Sequence, residues 1–137
     1  MRFYFSRAAV KSMRTTGGGS IVIASNVGLV GCSNLAACCA SKGAVVLLTR
    51  AMALDHAKEQ ISINAVCPGA VDTPMLVSAH NKPATADEIL QRNTDSIPQG
   101  RLATPKEIAS LTVFLTSEQA RHITGVAVPI DGGFAAG

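Results

Sequence analysis

Apolar positions recur along this chain with changing spacing, and each change of period marks an element. Residues 2–14 carry Arg7, Lys11 and Arg14 at the spacing of one helix face, and Thr15-Thr16-Gly17-Gly18-Gly19 ends that helix. Ser20–Ser25 (SIVIAS) is a short β-branched run and reads as a buried strand. Residues 36–57 place Ala, Val, Leu and Met on nearly every face of a long helix, which needs cover from a sheet and from something else. Ile61–Cys67 (ISINAVC) is the next strand, stopped by Pro68-Gly69. Residues 70–103 read as irregular apart from a short helix over 87–94, and loops of that length are usually functional lids. Thr104-Pro105-Lys106-Glu107 is a capping box with proline in the first turn, so a helix follows to about Ser117. Val126–Ile130 (VAVPI) is the last strand, and Pro129, which has no N–H to donate, assigns it to a sheet edge.

A helix followed by β-α-β-α-β implies an α/β fold with a parallel sheet. Three parallel strands are too few to close a stable α/β layer. The first strand would leave an open edge where more sheet belongs. The pattern is that of part of a domain.

Composition narrows the class. Of 137 residues, 47% are hydrophobic and only 15% charged, which excludes disorder and leaves room for one domain. Aromatics make up 4%, so the core is aliphatic. The net charge of +3 hides an asymmetry: residues 1–54 hold six basic side chains and no acid. Those charges are spread out with almost no interleaved aromatics, which argues for a solvated helix face and against a nucleic-acid surface. The basic, acid-free start resembles a transit peptide in composition, but a helix accounts for the same residues. No apolar run approaches the ~18–20 residues needed to span a bilayer, so no membrane partner is expected. Cys32, Cys38, Cys39 and Cys67 show no C-x-x-C spacing, and His56, His80 and His122 show no metal-ligand spacing. A reducing cytoplasm fits that usage.

Ser25 lies thirteen residues before Cys38, and Lys42 lies four after it within CASKGAVVLLTRAMALD. Downstream come INAVCPGAVDTPM, PQGRLATPKEIA and ITGVAVPIDGG. Together these segments resemble the short-chain dehydrogenase/reductase family over essentially the whole chain. The match corresponds to the C-terminal half of that doubly wound, Rossmann-type domain. The resemblance implies NAD- or NADP-dependent interconversion of a small-molecule alcohol and ketone by hydride transfer. It also implies subunits that associate through helices corresponding to residues 2–14 and 36–57. In the family a serine polarises the substrate carbonyl, a tyrosine exchanges the proton, and a lysine four residues on lowers the tyrosine pKa and holds the nicotinamide ribose. Residues i and i+4 share a helix face, which explains that spacing. Carried over by position, the catalytic set is Ser25, Cys38 and Lys42. The cofactor-binding set is Lys42, Pro68, Gly69, Val71 and Thr73.

Two departures qualify the resemblance. Cys38 occupies the tyrosine slot, while the sole tyrosine, Tyr4, lies on the first helix. A thiol can ionise beside a lysine but ends well short of a phenol oxygen, so an impaired reductase is expected. The family's G-x-x-x-G-x-G turn, which binds pyrophosphate at a helix N-terminus, does not occur in these residues, so the nucleotide-binding N-terminal half is expected to be absent. Gly17-Gly18-Gly19 leads from a helix into a strand and is no substitute.

Plainer roles stay open at each position. Ser25 can cap a turn, Cys38 can be a small buried hydrophobe, and Thr73 can shape the turn around Pro74. Asn64, Asp131, Gly132 and Gly133 read as structural, and residues 76–98 as the variable lid. Two other functions stand beside the enzyme. One is a non-catalytic remnant forming a homo-oligomer or joining a full-length relative; the other is a thiol redox protein using Cys38 and Cys39.

Overall fold

Three stretches rich in β-branched side chains pair as one parallel sheet in the order β1 (Gly19–Ala24), β2 (Ile61–Pro68), β3 (Ala127–Ile130). The computed structural model describes residues 2–25, 28–78 and 84–136. Gly19 stands opposite Ile61 and Ala24 opposite Val66, while Ala65 to Pro68 face Ala127 to Ile130. In β2, Ile61 and every residue from Ile63 to Cys67 are buried, as expected of a strand covered on both faces. Pro129 faces Cys67 from the outer strand, as its missing N–H requires. Among the described residues β1 forms the opposite edge.

α1 (Arg2–Thr16) and α2 (Ala36–His56) meet one face of this sheet. Val10 of α1 and Met52 and Ala53 of α2 join Ile61 and Ile63 in the main apolar cluster, with Met13, Ile21 and Leu48 around it. Val46, Ala65 and Cys67 form a second cluster with Ala127. Each large aliphatic side chain buried this way contributes about 1.5–3 kcal/mol. The helix junction is also tied electrostatically: Arg14 forks onto Glu59 at 2.7 and 2.8 Å, and His56 Nδ1 lies 3.4 Å from the same carboxylate.

α1 extends through Thr15 and Thr16, past its expected end. Their hydroxyls donate back to the carbonyls of Ser12 and Met13 at 2.7 and 3.2 Å. The helix stops at Gly17 (φ +87), where Gly18 N–H donates to the Met13 carbonyl at 3.0 Å.

α2 is covered by the sheet on one side only. Val45, Val46, Thr49, Met52 and Ala53 are buried, whereas Leu47 and Leu54 are 66% and 83% exposed. By length and composition the segment Ala36–Glu59 is apolar enough to cross a membrane. Ser41, Lys42, Thr49 and Arg50 interrupt its apolar runs without lowering its average enough to fail that test. In this fold it lies against β2.

The short helix expected over 87–94 is present as α4 (Ala86–Asp95), and the stretch read as irregular before it also contains a five-residue helix, α3 (Pro74–Ser78). Thr85 and Glu88 form a reciprocal capping box for α4, with bonds of 3.3 and 2.9 Å. Residues 79–83, including His80, lie outside the described residues. α5 (Pro105–Thr116) begins at the expected box, with Thr104 and Glu107 exchanging bonds of 3.3 and 2.7 Å. Asn64 is fully buried; its side chain donates to the Ile123 carbonyl at 2.8 Å and accepts from Val126 N–H at 3.2 Å, fixing the approach to β3.

Candidate active site at the carboxyl ends of the strands

Parallel strands bring their carboxyl ends to one rim, where open α/β sheets form their binding crevices. Ser25 follows β1 directly, and its N–H donates to the Val66 carbonyl at 2.9 Å. Pro68 and Gly69 lie at the end of β2, with Gly69 N–H donating to the Ile130 carbonyl at 3.1 Å. Lys42 is on α2, which packs on β2. The fold therefore gathers Ser25, Lys42, Pro68 and Gly69 at one rim.

The sequence spacing pairs Ser25 with Lys42, and the structure shows how they meet. Ser25 is fully buried, and its hydroxyl donates to the backbone carbonyl of Lys42 at 2.9 Å. Gly28 makes this approach possible. A Cβ at Gly28 would overlap Ser25 Oγ and fall 2.8 Å from the Lys42 carbonyl oxygen. The Lys42 side chain is half-buried and has no ion-pair partner among the described residues.

Cys38 lies one turn before Lys42 and is half-buried; its carbonyl accepts the Ser41 hydroxyl at 2.8 Å. Cys32 is half-buried on the preceding loop. Burial first, and then the neighbouring Cys39 and Cys38 sulfurs, push the Cys32 thiol pKa up. Burial, with a smaller contribution from Asp131, raises Cys67, which belongs to the core. Tyr4 is exposed on α1 beside Phe3 and beneath Arg7.

Val71 and Thr73 are placed by a second strip of chain. Asp72 N–H donates to the Ala103 carbonyl at 2.9 Å, and Ala103 N–H donates to the Ala70 carbonyl at 3.0 Å, so Val71 bridges to Ala103. Arg101 holds that strip by forking onto Glu107 at 3.1 and 2.6 Å. The guanidinium, followed by the Thr104 N–H, lowers the Glu107 carboxyl to about 2. Thr73 Oγ1 makes only a long 3.4 Å bond to the Val71 carbonyl, which leaves its hydroxyl lightly committed. Asp131 accepts from Gly133 and Ala135 N–H at 3.0 Å each, and a Cβ at Gly69 would fall 2.9 Å from Asp131. Asp131 is thus a structural cap against which Gly69 packs. Sequence reasoning overlooked the Arg101–Ala103 strip, although Arg101 stands six residues before the capping glutamate.

A family model described as enoyl-(acyl carrier protein) reductase matches residues 2–135. The 2-(S)-hydroxypropyl-CoM dehydrogenase 3 of Xanthobacter autotrophicus is 42% identical over 135 residues, covering 98% of this chain and 53% of that protein. From the same organism, a protein named inactive 2-(S)-hydroxypropyl-CoM dehydrogenase 2 is 39% identical over 135 residues, covering 98% of this chain and 59% of that one. A solved structure of a short chain dehydrogenase family protein from Francisella tularensis is similar with a TM-score of 0.85 at 36% identity, covering 98% of this chain and 59% of that chain. The chain spans about half the length of the curated relatives it matches.

Proposed function

The chain belongs to the short-chain dehydrogenase/reductase family, and from that premise we propose that it supplies the nicotinamide and substrate side of an NAD- or NADP-dependent oxidoreductase. Its substrate is a small-molecule alcohol or ketone. The observation that carries this reading is the convergence of Ser25, Lys42 and the Pro68–Thr73 segment at the carboxyl ends of two adjacent parallel strands. Relatives named as dehydrogenases support the oxidoreductase kind.

The chemistry of the donor set suits one end of the cofactor. Lys42 offers a half-buried ammonium to ribose hydroxyls, Thr73 a lightly held hydroxyl, and Gly69 a bare backbone. A bound dinucleotide would supply or accept the hydride. These residues contain no G-x-x-x-G-x-G turn, so the pyrophosphate end has no matching donor set among them.

Ser25 would polarise the substrate oxygen once its hydroxyl turns from the Lys42 carbonyl. Cys38, in the position that the family resemblance gives to tyrosine, would be the proton-exchanging group. Its short side chain leaves the sulfur away from a phenol's position, and a misplaced general acid costs about 10²–10⁴ in rate, roughly 3–5 kcal/mol of barrier. The reading is therefore an impaired oxidoreductase. It carries a cytoplasmic location with it, supported by four free cysteines.

A second reading rests on a different observation. The outer face of α2 exposes Leu47 and Leu54, and α1 exposes Phe3 and Phe5. Such faces suit a non-catalytic chain that forms a homo-oligomer or joins a full-length relative. The experiment that separates the readings places the 137-residue chain behind the nucleotide-binding half of a relative and assays secondary alcohols with NAD and NADP. Turnover that rises with Cys38→Tyr supports the enzyme. A folded, oligomeric and inert product with either residue supports the remnant.

A further inference from the structure

β1 is an outer strand of the parallel sheet, and its backbone hydrogen bonds fix which way each residue turns. Gly19 N–H donates to the Gln60 carbonyl at 3.1 Å, and Ser25 N–H to the Val66 carbonyl at 2.9 Å. These two residues are six apart, so the two-residue period of a strand turns Ile21 and Ile23 toward β2 as well. The same alternation in β2 sends the Ile63 and Ala65 N–H groups to the β3 side, onto Thr124 Oγ1 and the Val126 carbonyl. Ser20, Val22 and Ala24 therefore present their N–H and C=O groups to the open edge, where no described strand pairs with them.

Nothing in this strand blunts its edge. Gly19–Ala24 carries no charged side chain and no proline, the usual devices that keep a free edge from pairing. Val22 lies on one face and Ile21 and Ile23 on the other, the apolar pattern of an interior parallel strand. α5 packs against β1 and leaves Val113 and Phe114 exposed, which adds apolar surface on the helix beside that strand. The chain also spans only about half the length of its curated relatives.

We propose that the open edge of β1 docks a parallel strand from a separate polypeptide, the nucleotide-binding half of a short-chain dehydrogenase/reductase. This rests on the oxidoreductase reading above. Parallel addition brings the carboxyl end of the new strand to the rim that holds Ser25, Lys42 and Pro68, where open α/β sheets bind their ligands. There the partner supplies the pyrophosphate donors that this chain's residues lack. Main-chain bonds to Ser20, Val22 and Ala24 give affinity whatever side chains the added strand carries. A second copy of this chain fits the edge less well, because it brings no pyrophosphate-binding turn to the rim. Cofactor binding then depends on both polypeptides being present.

The test mixes the full chain with the nucleotide-binding half of a relative, made as a separate polypeptide, and follows amide hydrogen exchange residue by residue. In the chain alone, Ser20, Val22 and Ala24 should exchange at least tenfold faster than Ile21 and Ile23. The partner should slow those three at least tenfold and leave Ile21 and Ile23 unchanged. Val22→Pro removes one outward N–H and no bond to β2, so it should weaken association at least tenfold in sedimentation. Ser20→Pro, near the start of the strand where proline is tolerated, should do the same with the strand's centre intact. Association without NADH binding would uphold the docking edge and defeat the oxidoreductase reading. Association untouched by either proline would overturn the docking edge. So would no association with a half that folds when fused to this chain. Protection of the three amides in this chain alone, growing with its concentration, would give the edge to a second copy and overturn the assignment.

Discussion

The hydroxyl of Ser25 donates to the carbonyl oxygen of Lys42 at 2.9 Å, fastening the end of β1 to the middle of the first half of α2. Two of the three residues that the family resemblance makes catalytic are therefore also a structural clasp. Ser25→Ala should cost about 1 kcal/mol of unfolding free energy, the usual net worth of one hydrogen bond. Gly28→Ala should cost more, about 1–3 kcal/mol, because its new methyl group overlaps that clasp. Chemical denaturation of both variants checks the order; a harmless Gly28→Ala would contradict the packing.

Asn64 is fully buried with both ends of its amide engaged. Asn64→Leu should cost about 2–4 kcal/mol, because it leaves the Ile123 carbonyl and Val126 N–H without their partners. A thermal melt within a degree of the parent would show that neither bond matters.

The two exposed arginine forks set an acid response. Arg101 first, with Thr104 N–H, holds the Glu107 carboxyl at about 2, against an ordinary 4.5. Arg14 first holds Glu59 at about 2, with weaker help from His56. A carboxyl with a depressed folded pKa stabilises above its unfolded value, and that stability is lost as the pH falls toward the folded one. Unfolding free energy should therefore decline between about pH 4.5 and pH 2 and level off below. Glu59→Gln with Glu107→Gln should flatten that decline, and added salt should shrink it. An unchanged slope in the double variant would show that other groups govern acid unfolding.

Leu47 and Leu54 point away from the sheet. Leu47→Glu with Leu54→Glu should change monomer stability by less than about 1 kcal/mol, since exposed substitutions cost little. The same pair should weaken self-association at least tenfold in sedimentation experiments. Unaltered association would move the interface elsewhere.

Much of the fold could be read because its signals are local. The β-branched runs SIVIAS and ISINAVC became β1 and β2, and Pro129 marked the edge strand. Thr104 and Glu107 announced α5, yet the identical pattern at Thr85 and Glu88 went unused within a stretch read as mostly irregular. α3 has five residues, too few to show a helical period. The pairing of Ser25 with Lys42 was legible from spacing, but the direction of the hydroxyl was not, because it depends on how closely Gly28 lets strand and helix approach.

The most direct test of the central claim is a fluorescence titration with NADH and NADPH. It compares the 137-residue chain alone with the same chain fused behind a relative's nucleotide-binding half, each checked for folding by circular dichroism. The account predicts no saturable binding by the segment alone and saturable binding by the fusion, weakened at least tenfold by Lys42→Ala. A folded fusion that fails to bind, or that binds equally well with Lys42→Ala, would contradict it.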